Sequence, residues 1–141
     1  MEVRFAWDSG DQRPTTITFD DAPTGLYSQV AIVLERPSSG GDDDSFKIEG
    51  RVTVNSQDWE YVIEDSNPLT FNVGIDEMVS PGETAVIPLR INFTHALDSV
   101  DFSSLNISDN RLELDNGDAQ MSAFRAKLIE SFEIVSGGGA R

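Results

Sequence analysis

Cysteine is absent from this 141-residue chain, which excludes disulfides and thiolate metal sites. Histidine occurs once, as His95, so no histidine cluster can bind a transition metal. No Ser-His-Asp arrangement is indicated by spacing either. Lysine is scarce: of the 10 basic residues only Lys47 and Lys127 are lysines, and the rest are arginines. No apolar run is long enough to cross a bilayer. The opening MEVRFAWDSG carries charges where a secretory signal has its apolar core, so no signal peptide is expected. No internal repeat is evident.

Acidic residues, by contrast, are abundant. Asp and Glu number 25 against 10 Lys and Arg, a net charge of −15. A soluble domain of this size carries a net charge of roughly 2–8 in magnitude. At low salt this excess repels itself and weakens the compact state. At ~1 M salt the Debye length falls to about 3 Å and the repulsion is largely screened. Many carboxylates with few lysines resemble the proteins of salt-loaded halophiles, haloarchaea above all. The acidity also argues against direct nucleic-acid binding, which needs a basic footprint. The carboxylates are spread along the chain rather than spaced down one helix, which argues against a nucleic-acid mimic.

Apolar content of 38% suits one globular domain. The clearest stretch is residues 80–93, SPGETAVIPLRINF. Pro81 and Gly82 suit the second and third positions of a type II turn. Ile87, Leu89, Ile91 and Phe93 then alternate with Val86, Pro88, Arg90 and Asn92, the period of a strand with one buried face. Pro88 cannot donate to a ladder, so this strand is expected at an edge or with a bulge. Strands are also expected at 2–7, 15–19, 29–35, 46–54, 59–64, 69–76 and 111–115. The run at 29–35 is apolar almost throughout, which predicts burial on both faces, as a central strand or under a neighbouring subunit. Gly50 falls on the inward side of 46–54 and suggests a bulge. Residues 36–45, RPSSGGDDDS, read as a loop, 55–57 as a hairpin turn, and 94–110 as a one-turn helix or a crossing loop.

Asn116 and Gly117 form the strongest two-residue hairpin signal. The segment 119–135 fits two periods. Met121, Phe124, Leu128 and Phe132 recur at helical spacing, while Phe124, Ala126 and Leu128, then Phe132 and Ile134, alternate as in a strand. The preceding hairpin signal favours a long terminal strand. Eight or nine short strands predict an all-β fold, an antiparallel β-sandwich of jelly-roll or immunoglobulin-like type over 1–135, with a flexible tail at 136–141.

Few residues suggest chemistry. His95 is expected at the surface past a strand end. Asp42, Asp43 and Asp44 offer oxygen ligands to a hard cation such as Ca²⁺, but without the spacing of an EF-hand loop, and a solvated acidic loop is the default. Asp20 and Asp21 repeat that signal weakly. Carboxylate pairs for glycoside hydrolysis carry little information in so acidic a chain. Trp7, Trp59 and Tyr61 could stack on a sugar, but each alternates in phase with aliphatic neighbours, which is the pattern of a core. Asn92 and Asn106 begin sequons for N-glycosylation.

In composition and strand pattern, over its whole length, the chain resembles the small acidic single β-sandwich structural proteins of halophilic archaeal viruses. That resemblance implies a virion component, in the capsid, vertex, spike or tail, made in the host cytoplasm and working by subunit packing without catalysis or cofactor. Its partners would be copies of itself and other virion proteins, with neither nucleic-acid contact nor membrane insertion. The expected contact residues are Pro88 and Arg90 on the edge strand, Arg36 at the start of the loop, and Gly137 and Arg141 in the tail. The alternative is a carbohydrate- or calcium-binding sandwich module of a surface or fibre protein.

Overall fold

The computed structural model describes residue 20, residues 22–36 and residues 43–134. The strands expected at 2–7 and 15–19, most of the loop at 36–45 and the tail at 136–141 lie outside the described residues. The described chain is mostly β. Its strands are β1 (Gly25–Leu34), β2 (Phe46–Val54), β3 (Gln57–Asp65), β4 (Leu69–Val79), β5 (Leu89–Ile91), β6 (Asn106–Ser108), β7 (Arg111–Leu114) and β8 (Phe132–Ile134). Two short helices, α1 (Phe93–Leu97) and α2 (Met121–Ile129), and a 3₁₀ turn at Phe102–Ser104 interrupt them. The strands form a four-stranded sheet in the order β2-β3-β7-β6 and two ribbons, β1-β4 and β5-β8. These sheets are small and open.

Local chemistry sets the turns. Asn55 and Ser56 have φ of 50° and 65°, the left-handed pair that a two-residue hairpin needs, and they hold β2 on β3 in register from Val54↔Gln57 to Phe46↔Asp65. Asp109 and Asn110, at 51° and 62°, do the same between β6 and β7. Gly82 has φ of 74° and Glu83 N donates to Ser80 O at 3.1 Å, the turn expected from Pro81 and Gly82.

The hairpin expected at Asn116 and Gly117 does not form. Neither residue takes a positive φ. Instead, the Asp115 carboxylate accepts from Gly117 N at 2.9 Å and the Asp118 carboxylate accepts from Gln120 N at 2.8 Å. Aspartates that bond their own backbone in this way coil the chain towards a helix start. The long terminal strand expected over 119–135 is therefore α2 followed by the short β8. Helical spacing prevails there because it buries Met121, Phe124 and Leu128 together on one face. The strand expected over 86–93 is likewise reduced to β5. The exposed Pro88, lacking an N–H, stands just before β5, and Asn92 turns the chain into α1 by accepting from Thr94 N at 3.2 Å.

Three further expectations change. The sheets are not wholly antiparallel: β3 and β7 pair in parallel, Glu60↔Arg111 to Ile63↔Leu114. A parallel pair needs a long crossover, and the chain makes it through β4, β5, α1 and β6. Gly50 marks no bulge, since the β2–β3 register is unbroken. It makes room for a ring: a Cβ there would lie 2.5 Å from the Tyr61 hydroxyl oxygen. Finally, β1 is not buried on both faces within the described chain. Val30, Ile32 and Leu34 are half-buried, whereas Ala31 and Val33 are exposed.

One core joins these elements. The inner face of the four-stranded sheet contributes Ile63, Leu112 and Leu114, β4 contributes Phe71, and α2 contributes Phe124 and Leu128. Ring contacts knit it together, Phe46 with Phe124 at 6.2 Å and Phe71 with Phe132 at 4.0 Å. Beside it lies a buried ion pair. Asp65 is fully buried and pairs with Arg125 of α2, whose Nη2 also donates to Pro68 O at 2.7 Å. The other Asp65 oxygen accepts from Asn67 N at 2.9 Å. Together these bonds pin α2 to the turn between β3 and β4.

Candidate functional site

Among the described residues, the β1–β4 ribbon carries three of the seven exposed large apolar side chains. Its inner face pairs Val30 with Val73, Ile32 with Phe71 and Leu34 with Leu69 over the core. Its outer face carries Leu26, 62% exposed, directly opposite Met78, 56% exposed, with Val33 at 51% further along. Among the described residues, no strand pairs with the far edge of β1. That edge runs for 10 residues, GLYSQVAIVL, with no charged side chain. Sheet edges are usually protected by charges, proline or short length.

The expected contact residues fall on separate elements. Arg90 of β5 pairs with Glu133 of β8, Nε to Oε1 at 2.5 Å. Arg36 follows β1, and its Nε donates to Ser66 O at 2.9 Å. Pro88 is exposed, whereas Gly137 and Arg141 lie outside the described residues. Asp42 does too; Asp43 is exposed and Asp44 is half-buried. Among the described residues, no group of three or more His, Cys, Asp or Glu side chains is placed to hold a metal ion.

The outer face of the four-stranded sheet is charged. A depression of about 280 Å³ is lined by Glu49, Arg51, Glu60 and Arg111, with Gly50 and Tyr61. Arg51 Nη2 meets Glu60 Oε1 at 3.3 Å, and Arg111 Nη1 lies 4.0 Å from Glu49 Oε1. Lys47 reaches the same Glu49 oxygen at 3.2 Å, and this bond and its charge raise the Lys47 pKa. Burial pushes the Glu64 carboxyl above its ordinary range, helped by the nearby charge of Asp44. Burial also raises the Tyr61 hydroxyl. The floor of the depression is thus neutralised by its own pairs, and an incoming ion of either sign would have to break them. Arg111 Nε is buried without a partner among the described residues.

A second groove, about 200 Å³, lies at the hairpin end of the inner face. Trp59, Phe102 and Ile107 form its apolar wall, with Asn55, Gln57 and Ser103 as polar lining. Trp59 is only half-buried and lines this groove, whereas Tyr61 is 9% exposed and packs on Phe102, ring centres 5.0 Å apart. The alternation of the sequence therefore reads Tyr61 correctly as core and understates the access to Trp59.

His95 sits on α1 with its Nε2 3.1 Å from Glu130 Oε2, and Lys127 Nζ lies 3.5 Å from that oxygen. Hydrogen bonding from His95, then the charge of Lys127, holds the Glu130 carboxyl below its usual range. Both His95 and Glu130 are about half exposed, and neither lines a groove. Of the two sequons, Asn92 is engaged as the cap of α1, while Asn106 is exposed on the edge strand β6.

Each basic side chain among the described residues has a partner. Arg36 has a carbonyl oxygen, and Lys47, Arg51, Arg90, Arg111, Arg125 and Lys127 have carboxylates. Nothing in the sequence pattern points to Asp65 and Arg125, which come together across 60 positions. The edge of β1 did leave a signal, the uncharged apolar run itself. No described helix is long and apolar enough to cross a membrane. Comparison with protein-family models, with curated proteins and with solved structures returned no match.

Proposed function

We propose that this protein is a structural component of the virion of a halophilic archaeal virus, in the capsid, vertex, spike or tail, acting through subunit packing and without catalysis. The observation that carries the reading is the contrast between the chain and one of its ribbons. A body with a net charge of −15 presents a ten-residue uncharged strand in which Leu26 and Val33 are exposed, with the exposed Met78 opposite Leu26. Such a surface suits contact with another protein in concentrated salt, where charge is screened and apolar burial is strengthened. The reading includes a sandwich of jelly-roll or immunoglobulin-like type, with the β1–β4 ribbon and the four-stranded sheet as its layers. Their shared core through Phe71 and Ile63 supports it. The partners are copies of the chain and other virion proteins. Mass spectrometry of particles purified from halophilic host cultures tests the proposal. Stoichiometric presence of the chain supports it, and absence from every particle overturns it.

A carbohydrate-binding module is the second reading, favoured by the half-buried Trp59 in its groove with Asn55 and Gln57. It predicts saturable glycan binding in ~2 M salt that Trp59→Ala abolishes. A glycan array with no saturable signal removes it. The calcium form of this reading predicts saturable uptake in a Ca²⁺ titration, lost on replacing Asp42, Asp43 and Asp44 by Asn.

A further inference from the structure

We propose that the far edge of β1 docks a second copy of this chain. Two β1 strands would pair antiparallel about a two-fold axis, joining two ribbons into one sheet in the order β4-β1-β1-β4. The proposal rests on the reading of the protein as a packing subunit, and it names both the partner and the edge.

The first support is the comparison of edges. The β2 edge of the four-stranded sheet carries Lys47, Glu49 and Arg51, and β6 at its other edge is only 3 residues long. Strands β5 and β8 are equally short and include Arg90 and Glu133. Only β1, among the described strands, is both long and free of charge. Residues 22–34 are also the longest uncharged run in the chain.

The second support is what symmetry demands. In a two-fold antiparallel pair, residues near the axis face their own copies. A charged residue there would meet its like, and directly opposed like charges destabilise a sheet. On the axis an unrelated partner could answer a charge with its opposite, whereas a second copy cannot. For two bodies of −15 each, an uncharged strand lets the chain pair with its own copy in any register without opposing like charges, and β1 is one.

Local geometry agrees. The ribbon has one irregularity, where Tyr27↔Glu77 is followed by Gln29↔Gly74. Ile75 and Asp76 of β4 oppose Ser28 alone, and the alternation of exposure along β1 slips at that point, Ser28 and Gln29 both being exposed, which is what brings Leu26 and Val33 to the same outer face. Pairing two ribbons would also bring two sets of Leu26, Val33 and Met78 onto one sheet.

The test uses the full chain in ~2 M KCl, where repulsion is screened. Sedimentation velocity at tens of micromolar should show a dimer. Val33→Glu, at an exposed position, should raise the dimer dissociation constant at least about tenfold while leaving the circular dichroism unchanged. Because the chain has no cysteine, Gln29→Cys and Ala31→Cys each supply a single thiol. A residue faces its own copy only near the two-fold axis, so oxidation should link into disulfide dimers whichever of these variants lies closer to the axis, or an equimolar mixture of the two if the axis passes through Val30, and leave Lys47→Cys on β2 unlinked. The crosslinking decides the matter if Val33→Glu fails to fold. A wild-type monomer whose β1 thiols do not link overturns the proposal, including the case in which residues 1–19 of the same chain cover this edge. An oligomer indifferent to Val33→Glu and unlinked through β1 overturns it as well. The oligomer outcome leaves the packing reading standing, the monomer outcome counts against both, and the particle composition judges the virion reading separately.

Discussion

At the scale of single residues, the turns at 55–57 and 80–83 were legible, whereas the hairpin signal of Asn116 and Gly117 misled and the turn at Asp109 and Asn110 went unread. Asn55 and Gly82 follow from the left-handed backbone that their turns require, a property written into residue type, while Ser56 is carried into that conformation by the two-residue hairpin. Gly50 was legible as special, but the reason was not. A glycine facing an aromatic across a strand pair looks, in sequence, like one at a bulge. The structure predicts that Gly50→Ala forces the Tyr61 ring from its place and costs about 1–3 kcal/mol, measured by denaturant unfolding with tyrosine placement followed by near-ultraviolet dichroism. Glu64 gives a prediction in pH. Its carboxyl is raised in the folded state by burial and by Asp44, from an ordinary value of 4.5. The folded state therefore binds more protons than the unfolded chain in the window above that value, and stability falls as pH rises through it. Glu64→Gln should melt at a higher temperature than wild type at neutral pH, and the difference should close as pH falls below the ordinary carboxyl range. An equal difference at both pH values would contradict the assignment.

At the scale of elements, the β2–β3 hairpin was readable because alternation and turn residues agreed. The segment 119–135 was not, since its apolar residues satisfy both periods, and local preference could not choose between them. The aspartates at 115 and 118 settled it through their own backbone bonds. The docking of α2 depends on a pair that no local pattern announces, Asp65 with Arg125. Asp65 is fully buried, so Arg125→Met strands an unpaired charge and should destabilise the fold by about 3–5 kcal/mol. Arg125→Met combined with Asp65→Asn should recover part of that loss. Chemical denaturation of the two variants checks both values, and a neutral Arg125→Met would show that α2 is held by its apolar face alone.

At the scale of the whole molecule, composition was legible and topology was not. The parallel joining of β3 to β7 depends on where a long crossover returns, and periodicity is silent on that. The charge balance, by contrast, needs no fold to be read. Exposed pairs such as Arg51 with Glu60 contribute only about 0–1 kcal/mol each, and salt weakens them. The surplus of 25 − 10 = 15 negative charges repels throughout the body, and salt relieves it. Repulsion is the larger effect, so the melting temperature should rise with KCl and level off near ~1 M. Sedimentation velocity of the full chain at one protein concentration, from ~0.05 M to ~2 M KCl, tests packing in brine most directly. An acidic subunit built to pack predicts sedimentation coefficients that grow with salt, from a repelled monomer to assembled copies. A monomer at every salt concentration, or assembly strongest in dilute buffer, would contradict it.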